Sequence, residues 1–225
     1  MSLYGRYVLP VLTDIVMRNR AAHAERVRFI PLASGDVLEV GVGSGLNIPV
    51  YGTAVRTLCA LDPSPRLLRM ARRHAARARF PVTFMQQSAE AIPLADGVVD
   101  TVVTTWTLCT IPEPAQALRE MRRVLRADGR LIFVEHGRTP DPAVGQWQDR
   151  LTPLWRNIAG GCHLNRSIDR LLELGGFEIT ELDRGYTAGL RVAAYLYRGL
   201  ARPSGTPAAP RDHQETPRAN KRSHQ

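Results

Sequence analysis

The segment that most constrains this chain is Glu39-Val40-Gly41-Val42-Gly43-Ser44-Gly45, which closes the apolar run beginning at Asp36. Glycines at alternate positions let the backbone reverse sharply and lie close to a ligand, while the start of a following helix presents unpaired N–H groups. A strand running into such a turn belongs to an open α/β sheet, whose ligands sit beyond the carboxyl ends of the strands. The next apolar run ends at Leu61-Asp62-Pro63-Ser64, placing a carboxylate at the tip of the second strand. Its two oxygens match the vicinal hydroxyls of a ribose, and the competing reading makes Asp62 a cap for the helix after Pro63.

Beyond residue 36, short apolar runs alternate with helical patterns. DVLEV, RTLCALD, VTFMQQ, VDTVVTTW and RLIFVEH read as strands, with helices over 64–79 and 114–127 between them. Such alternation predicts a parallel sheet covered by helices on both faces. Turns are expected near 93–98 and 128–129, where Gly, Pro and Asp gather. After residue 137 the pattern changes, and Trp147, Leu151, Leu154 and Ile158 share a helix face before a glycine stop. We read about 138–165 as a cap inserted above the sheet. A helix over 166–175 and the runs FEITELD and RVAAYLYRG, a closing pair of strands, complete the fold.

Residues 1–33 read as a helical segment. Within 3–20, Tyr4, Tyr7, Val8, Val11, Leu12, Ile15 and Val16 recur at helical spacing, interrupted by Pro10. That face either packs on the body, lies on a membrane surface or closes over a ligand. The domain is expected to end near residue 200. Residues 201–225 lack large apolar side chains and read as a disordered basic tail.

Hydrophobic residues make up 44% and charged residues 23% of the 225, which excludes a wholly disordered or collagen-like chain. No apolar run approaches the roughly 18 residues of a membrane span, and no signal-peptide pattern opens the chain, so a cytoplasmic location is expected. The formal charge of +9 is partly gathered in the tail, and no basic patch interleaved with aromatic residues points to nucleic acid. Cys59, Cys109 and Cys162 have no paired spacing, so reduced thiols are expected.

The glycine spacing is G-x-G-x-G after an acid, not the G-x-G-x-x-G that faces a dinucleotide pyrophosphate. Three further pieces stand in order. They are Gln86-Gln87-Ser88-Ala89-Glu90 followed by Ile92-Pro93-Leu94, the Asp100 strand, and Arg123-Val124-Leu125-Arg126-Ala127-Asp128-Gly129-Arg130-Leu131, all downstream of the Asp62 strand end. With these, residues 35–136 resemble the class I S-adenosylmethionine-dependent methyltransferases. The resemblance implies a Rossmann-like, doubly wound seven-stranded sheet, mostly parallel with an antiparallel last strand. It implies S-adenosyl-L-methionine as cofactor and S-adenosyl-L-homocysteine as product. By the same likeness Glu39 and the turn through Gly41, Gly43 and Gly45 hold the methionine portion, and Asp62 with Pro63 holds the ribose. Ser88 and Ala89 edge the adenine, and Thr104 and Thr105 lie beside the methyl-donor site. The sequence departs from the family in a neutral Ser88 where an acid is common, and in Ala127-Asp128 where Pro-Gly is common.

On the acceptor side, candidates must lie at the carboxyl ends of the strands, which selects Trp106, Cys109, Glu135 and His136, with Cys162 and His163 from the later loop. Thr107-Leu108-Cys109-Thr110-Ile111, Glu135-His136-Gly137, Trp147, Trp155 and Gly161-Cys162-His163-Leu164-Asn165-Arg166 resemble the methyltransferase-like subgroup that includes mammalian thiol S-methyltransferases. That likeness implies a small, rather apolar thiol as acceptor, with His136 as base or positioner and Glu135 and Trp106 as its companions in the catalytic set. The competing reading of His136 is a hydrogen-bonded strand-end histidine. Phosphatidylethanolamine or small-amine N-methylation is the alternative activity, and a non-catalytic cofactor-binding module a further one. Cys109 and Cys162 read as packing residues, because the donor already carries an activated methyl group. A metal on Cys109, His136, Cys162 and His163 lacks any ligand spacing in sequence, so no metal is expected.

Overall fold

The computed structural model describes residues 3–205. A π-helical turn, Tyr4–Val8, leads into α1 (Leu9–Met17), and α2 (Arg20–Phe29) follows after a break. Asn19 makes that break, since its side chain accepts from the Ala22 N–H at 2.9 Å and starts a new helix. The helix expected over 3–20 thus runs from Tyr4 to Met17, with Pro10 accommodated in the first turn of α1, and Asn19 ends that span and starts α2.

The strands are β1 (Gly35–Val40), β2 (Val55–Leu61), β3 (Val82–Met85), β4 (Val99–Thr105), β5 (Leu125–His136), β6 (Phe177–Tyr186) and β7 (Tyr195–Pro203). Helices α3 (Pro65–Ala75), α4 (Pro114–Val124), α5 (Pro142–Ile158) and α6 (Ile168–Leu174) join them. The sheet order is β3-β2-β1-β4-β5-β7-β6, parallel through the first five, with β7 antiparallel to both β5 and β6. The sequence expectation of a doubly wound seven-stranded sheet with an antiparallel last strand matches this architecture. Parallel strands buried on both faces read as nearly continuous apolar runs, and β1 and β4 do so here. Leu38, Val40, Val102, Leu131 and Phe133 face one helical layer; Val37, Leu58, Val103, Ile132 and Val134 face the other.

Three details differ from the sequence reading. The turn expected at 128–129 lies within β5: Val99 pairs with Leu125 and Thr101 with Arg130, so β5 carries extra residues in a bulge. The run Arg191–Ala193 forms a short 3-10 turn, and β7 starts only at Tyr195. That strand continues to Pro203, past the expected limit at residue 200, because Arg202 pairs with Glu178 and holds the ladder open to the end. The rest of the expected tail, from residue 206, lies outside the described residues. Among the described residues no helix is long and apolar enough to cross a membrane.

Candidate active site

Because β1 and β4 are adjacent and the order reverses between them, their carboxyl ends open a crevice. The turn after β1 occupies it, and its three glycines do different work. Gly41 (φ +73°) reverses the chain where a Cβ would strike the Thr107 side chain at 2.2 Å. Gly43 (φ +56°) has open space on its Cβ side, with its nearest neighbour at 3.9 Å, and it lines a cavity of about 910 Å3. Gly45 (φ +83°) is absent from that lining; its Cβ would meet Ala71 of α3 at 2.8 Å. Of the three glycines expected at the cofactor, Gly45 is set back from the cavity, and its bare α-carbon lets α3 pack against the turn. Gly45→Ala should lower stability by roughly 2–4 kcal/mol, from overpacking and a left-handed backbone, with a visible fall in melting temperature. Gly43→Ala should cost only the roughly 1–2 kcal/mol of an alanine in left-handed backbone, without the overpacking of Gly45→Ala, yet bind cofactor far more weakly because its methyl enters the cavity.

Asp62 stands at the tip of β2, 6% exposed. One carboxylate oxygen accepts the Gly43 N–H at 2.9 Å and the other accepts the Ser64 N–H at 2.8 Å. Each oxygen keeps a further lone pair for a ligand in the cavity, which Asp62 and Pro63 both line. Burial pushes the Asp62 carboxyl up against the opposing effect of these two N–H groups. Asp62 therefore serves the turn and the cavity at once, and the helix cap after Pro63 is made by Ser64, whose Oγ accepts the Leu67 N–H.

Glu39 lies beneath the turn, 1% exposed, where it accepts from Asn47 Nδ2 and the Tyr51 hydroxyl, each at 2.9 Å. Burial drives its carboxyl up to about 7, opposed by those two donors and by Arg26. Arg26 donates to Asn47 Oδ1 at 3.0 Å and stands 5.0 Å over the Trp106 ring. Asn47, Tyr51 and Arg26 escaped sequence reasoning because they reach Glu39 from a loop and from α2; Asn47, two residues past the glycines, carried the only local hint.

Ser88 and Ala89, expected to edge the adenine, line the cavity. The Ser88 hydroxyl donates to Glu90 at 2.5 Å, and Glu90 also takes the Glu113 N–H at 2.9 Å, so Glu90 ties two loops together. Asp100, at the opposite end of its strand, binds the Asp36 N–H, Arg56 and Arg126, away from the crevice.

Two expected site residues sit below the cavity wall. Glu135 is fully buried and accepts from Thr104 Oγ1 at 2.8 Å, from the Thr107 N–H at 2.8 Å and from the Leu108 N–H at 3.1 Å. Neither Glu135 nor Thr104 lines the cavity. Glu135 and Thr104, expected as a catalytic group and beside the donor, have polar atoms taken up in holding the loop after β4. Thr105 and Trp106 do line the cavity. Thr105 Oγ1 accepts from Asn47, and Trp106 adopts a left-handed backbone (φ +50°) that turns the chain off the strand.

The far wall is built by three segments. Cys109 comes from the loop after β4, His136 ends β5, and Cys162 follows α5. His136 Nε2 lies 2.9 Å from Cys162 Sγ, and Trp155 donates its indole N–H to the same sulfur at 3.3 Å. The Cys162 thiol is held well below its usual range by hydrogen bonding with Cys109 foremost and His136 as well. Burial opposes charge on the His136 ring, and the neighbouring sulfur raises it in net. Arg166 donates to the Leu108 and Ile111 carbonyls, and the His163 N–H donates to the Cys109 carbonyl at 2.8 Å, pinning the two loops together. His163 is thereby a loop tie and lies outside the cavity lining.

The roof comes from both helical additions. Leu9, Pro10, Thr13 and Met17 of α1 line the cavity, as do Trp155 and Ile158 of α5. Tyr4 donates to the Ile158 carbonyl at 2.7 Å, which joins the two. Of the aromatic residues considered for an acceptor pocket, Trp106 and Trp155 reach it; Trp147 is 54% exposed on α5, and Tyr186 packs edge-on against Tyr195.

Residues 38–133 match the model of the methyltransferase domain family. Human thiol S-methyltransferase TMT1B is 34% identical over 196 residues, covering 80% of this chain and 78% of that protein. A phosphatidylethanolamine N-methyltransferase of Cereibacter sphaeroides is 35% identical over 121 residues, 53% of this chain and 56% of its own length. Among solved structures, an S-adenosylmethionine-dependent methyltransferase of Thermotoga maritima superposes with a TM-score of 0.63 at 20% identity, covering 89% of this chain and 97% of that one. A ribose-matched carboxylate, a glycine turn with room at Gly43 and this strand order all suit one cofactor, and the chain belongs to the S-adenosylmethionine-dependent methyltransferases.

Proposed function

We propose that this methyltransferase S-methylates a small, rather apolar thiol. The observation that carries the reading is the distribution of charge in the cavity: its lining carboxylates, Glu39 and Asp62, both stand at the donor end. The opposite wall is Trp155, Ile158, Leu196 and Ile111 around Cys109, His136 and Cys162. A cationic amine would meet no carboxylate there, whereas an apolar thiol needs only burial of its carbon body and a partner for its sulfur. The likeness to thiol S-methyltransferase TMT1B supports the same acceptor.

When bound, S-adenosylmethionine supplies a methyl group activated on a sulfonium. In this reading Gly41 and Gly43 lie along its methionine portion, Asp62 takes the ribose hydroxyls, and Ser88 and Ala89 border the adenine. Thr105 and Trp106 flank the junction of the two compartments. Glu135 and Thr104 act as positioning residues, fixing the loop that carries Trp106 and Cys109. His136 holds or takes the acceptor's proton, and the apolar roof of α1 and α5 excludes water, so that alignment dominates the rate.

The runner-up acceptor is phosphatidylethanolamine, and one feature favours it. Leu12, Ile15 and Val16 of α1 and Leu154 of α5 are 43–64% exposed, an apolar rim suited to a bilayer surface. Peripheral membrane contact through residues 3–20 of an otherwise cytoplasmic protein fits that rim, and nucleic acid is no part of this reading. The test is S-adenosylhomocysteine release with alkyl and aryl thiols against phosphatidylethanolamine liposomes at several pH values. Turnover with thiols, rising with the thiolate fraction, is expected; turnover with liposomes alone transfers the assignment to lipid.

A further inference from the structure

The three side chains on the far wall converge more tightly than a packing role requires. One ligand atom each from Cys109, His136 and Cys162 lie within 4.8 Å of one another. Donors around a tetrahedral zinc, with bonds of roughly 2.0–2.3 Å, stand roughly 3.3–3.8 Å apart, so side-chain shifts of about 1 Å bring this set to that geometry. All three residues are at least nine-tenths buried, at 2%, 8% and 7% exposure. They arrive from three separate segments that other bonds already fix. Glu135 and Arg166 hold the Cys109 loop, β5 holds His136, and Trp155 aims its N–H at Cys162.

We propose that Cys109, His136 and Cys162 bind a divalent transition metal, zinc foremost, whose fourth position opens into the cavity and takes the acceptor's sulfur. Two sulfurs and an imidazole select a borderline-soft ion over magnesium or calcium. Three protein ligands with one open direction is the arrangement of a catalytic rather than a structural zinc. All three residues line the cavity, so the open direction faces the compartment assigned to the acceptor. The Trp155 N–H on the Cys162 sulfur is the kind of outer contact that orients a metal thiolate. His136 Nδ1 has no hydrogen-bond partner, so within the protein the ring is tethered through Nε2 and one sulfur. The nitrogen that faces the Cys162 sulfur, and is therefore placed to bind the metal, is Nε2. Sequence spacing concealed the set because its members belong to three separate segments: the loop after β4, the end of β5 and the loop after α5.

For the acceptor this inference rests on the thiol reading above. The acceptor S–H loses its proton to solvent as its sulfur bonds the metal. A sulfur lone pair then forms the new S–CH3 bond while the donor's sulfonium–methyl bond breaks and its electron pair stays on the donor sulfur. The products are a thioether, which binds the metal weakly, and S-adenosylhomocysteine. His136 then acts as a ligand, and lowering of the thiol's pKa by the metal replaces a general base.

The full chain, stripped with chelator under reducing conditions, is titrated with Co2+ and then with Zn2+. One equivalent of Co2+ should give tetrahedral d–d bands and thiolate-to-cobalt charge transfer, both removed by Zn2+. Cys109→Ser and Cys162→Ser should weaken Zn2+ binding at least 100-fold while retaining S-adenosylhomocysteine binding, and Cys59→Ser should change nothing. The parent's own spectrum serves if a variant fails to fold. No stoichiometric binding, an octahedral spectrum, or an unaltered spectrum in a folded double variant overturns the site. A small alkyl thiol should strengthen the charge transfer; thiol turnover without any such change overturns the metal's role in holding the acceptor. A spectral response to thiol without turnover keeps the site and sinks the thiol-methylation reading instead.

Discussion

Asp62→Ala should weaken S-adenosylmethionine binding at least about 100-fold, the largest loss of affinity expected from any single change in the donor compartment. Two hydrogen bonds from a ribose to a charged carboxylate are worth about 1.5–3 kcal/mol each, and roughly 3 kcal/mol is already two powers of ten. The variant also frees the Gly43 and Ser64 N–H groups, so the turn loses its anchor with the ligand. Asp62→Asn should fall between, since one amide oxygen keeps a single acceptor while its NH2 group opposes a backbone donor. Calorimetric titration measures both, and unchanged affinity in the alanine variant would remove Asp62 from the site.

Stability should respond most to Glu135. Its carboxylate serves Thr104 Oγ1 and the Thr107 and Leu108 N–H groups, all in the interior. Glu135→Ala strands these three donors at about 1–3 kcal/mol each, so a loss of roughly 3–9 kcal/mol in denaturant unfolding is expected. The pH dependence has a definite sign. Burial raises the Glu135 carboxyl from 4.5 to about 7, so between those values the native protein retains a proton that the unfolded chain has released. Stability is therefore expected to fall as pH rises through that window, by up to about 1.4 kcal/mol per pH unit for this group, and Glu39 adds a slope of the same sign. Glu135→Gln removes one titrating group and should flatten the profile between pH 4.5 and 7. A parent-like slope in that variant would mean that Glu135 keeps its proton equilibrium unchanged on folding.

The donor half was legible in the sequence because it depends on local geometry. Gly41 and Gly43 mark a backbone path that side chains resist, and Asp62 falls at a strand end that the apolar run itself defines. The parallel strands announced themselves through burial on both faces, and the reversal of β7 through the closing pair of runs. What the sequence concealed depends on which strand ends meet. Glu135 and His136 are adjacent in the chain and point to opposite sides of β5, so one is spent beneath the loop and the other faces the cavity. Pattern alone cannot say which. The ring of Asn47, Tyr51 and Arg26 about Glu39 was hidden for the same reason, as was the bulge that absorbs Arg126–Gly129 into β5.

Helix α1 is shared between two environments: Pro10, Thr13 and Met17 border the cavity, while Ile15 on its other side is 61% exposed. Its Asp14 accepts from Arg18 at the helix C-terminus, and Ser44 of the glycine turn helps to hold the Asp14 carboxyl low, so the helix and the turn are in electrostatic contact. Under the membrane contact proposed above, occupancy inside and attachment outside are linked equilibria. Whatever factor a bilayer or partner on the outer face applies to donor affinity, the donor must return to that attachment, because the two routes around the cycle reach the same final state.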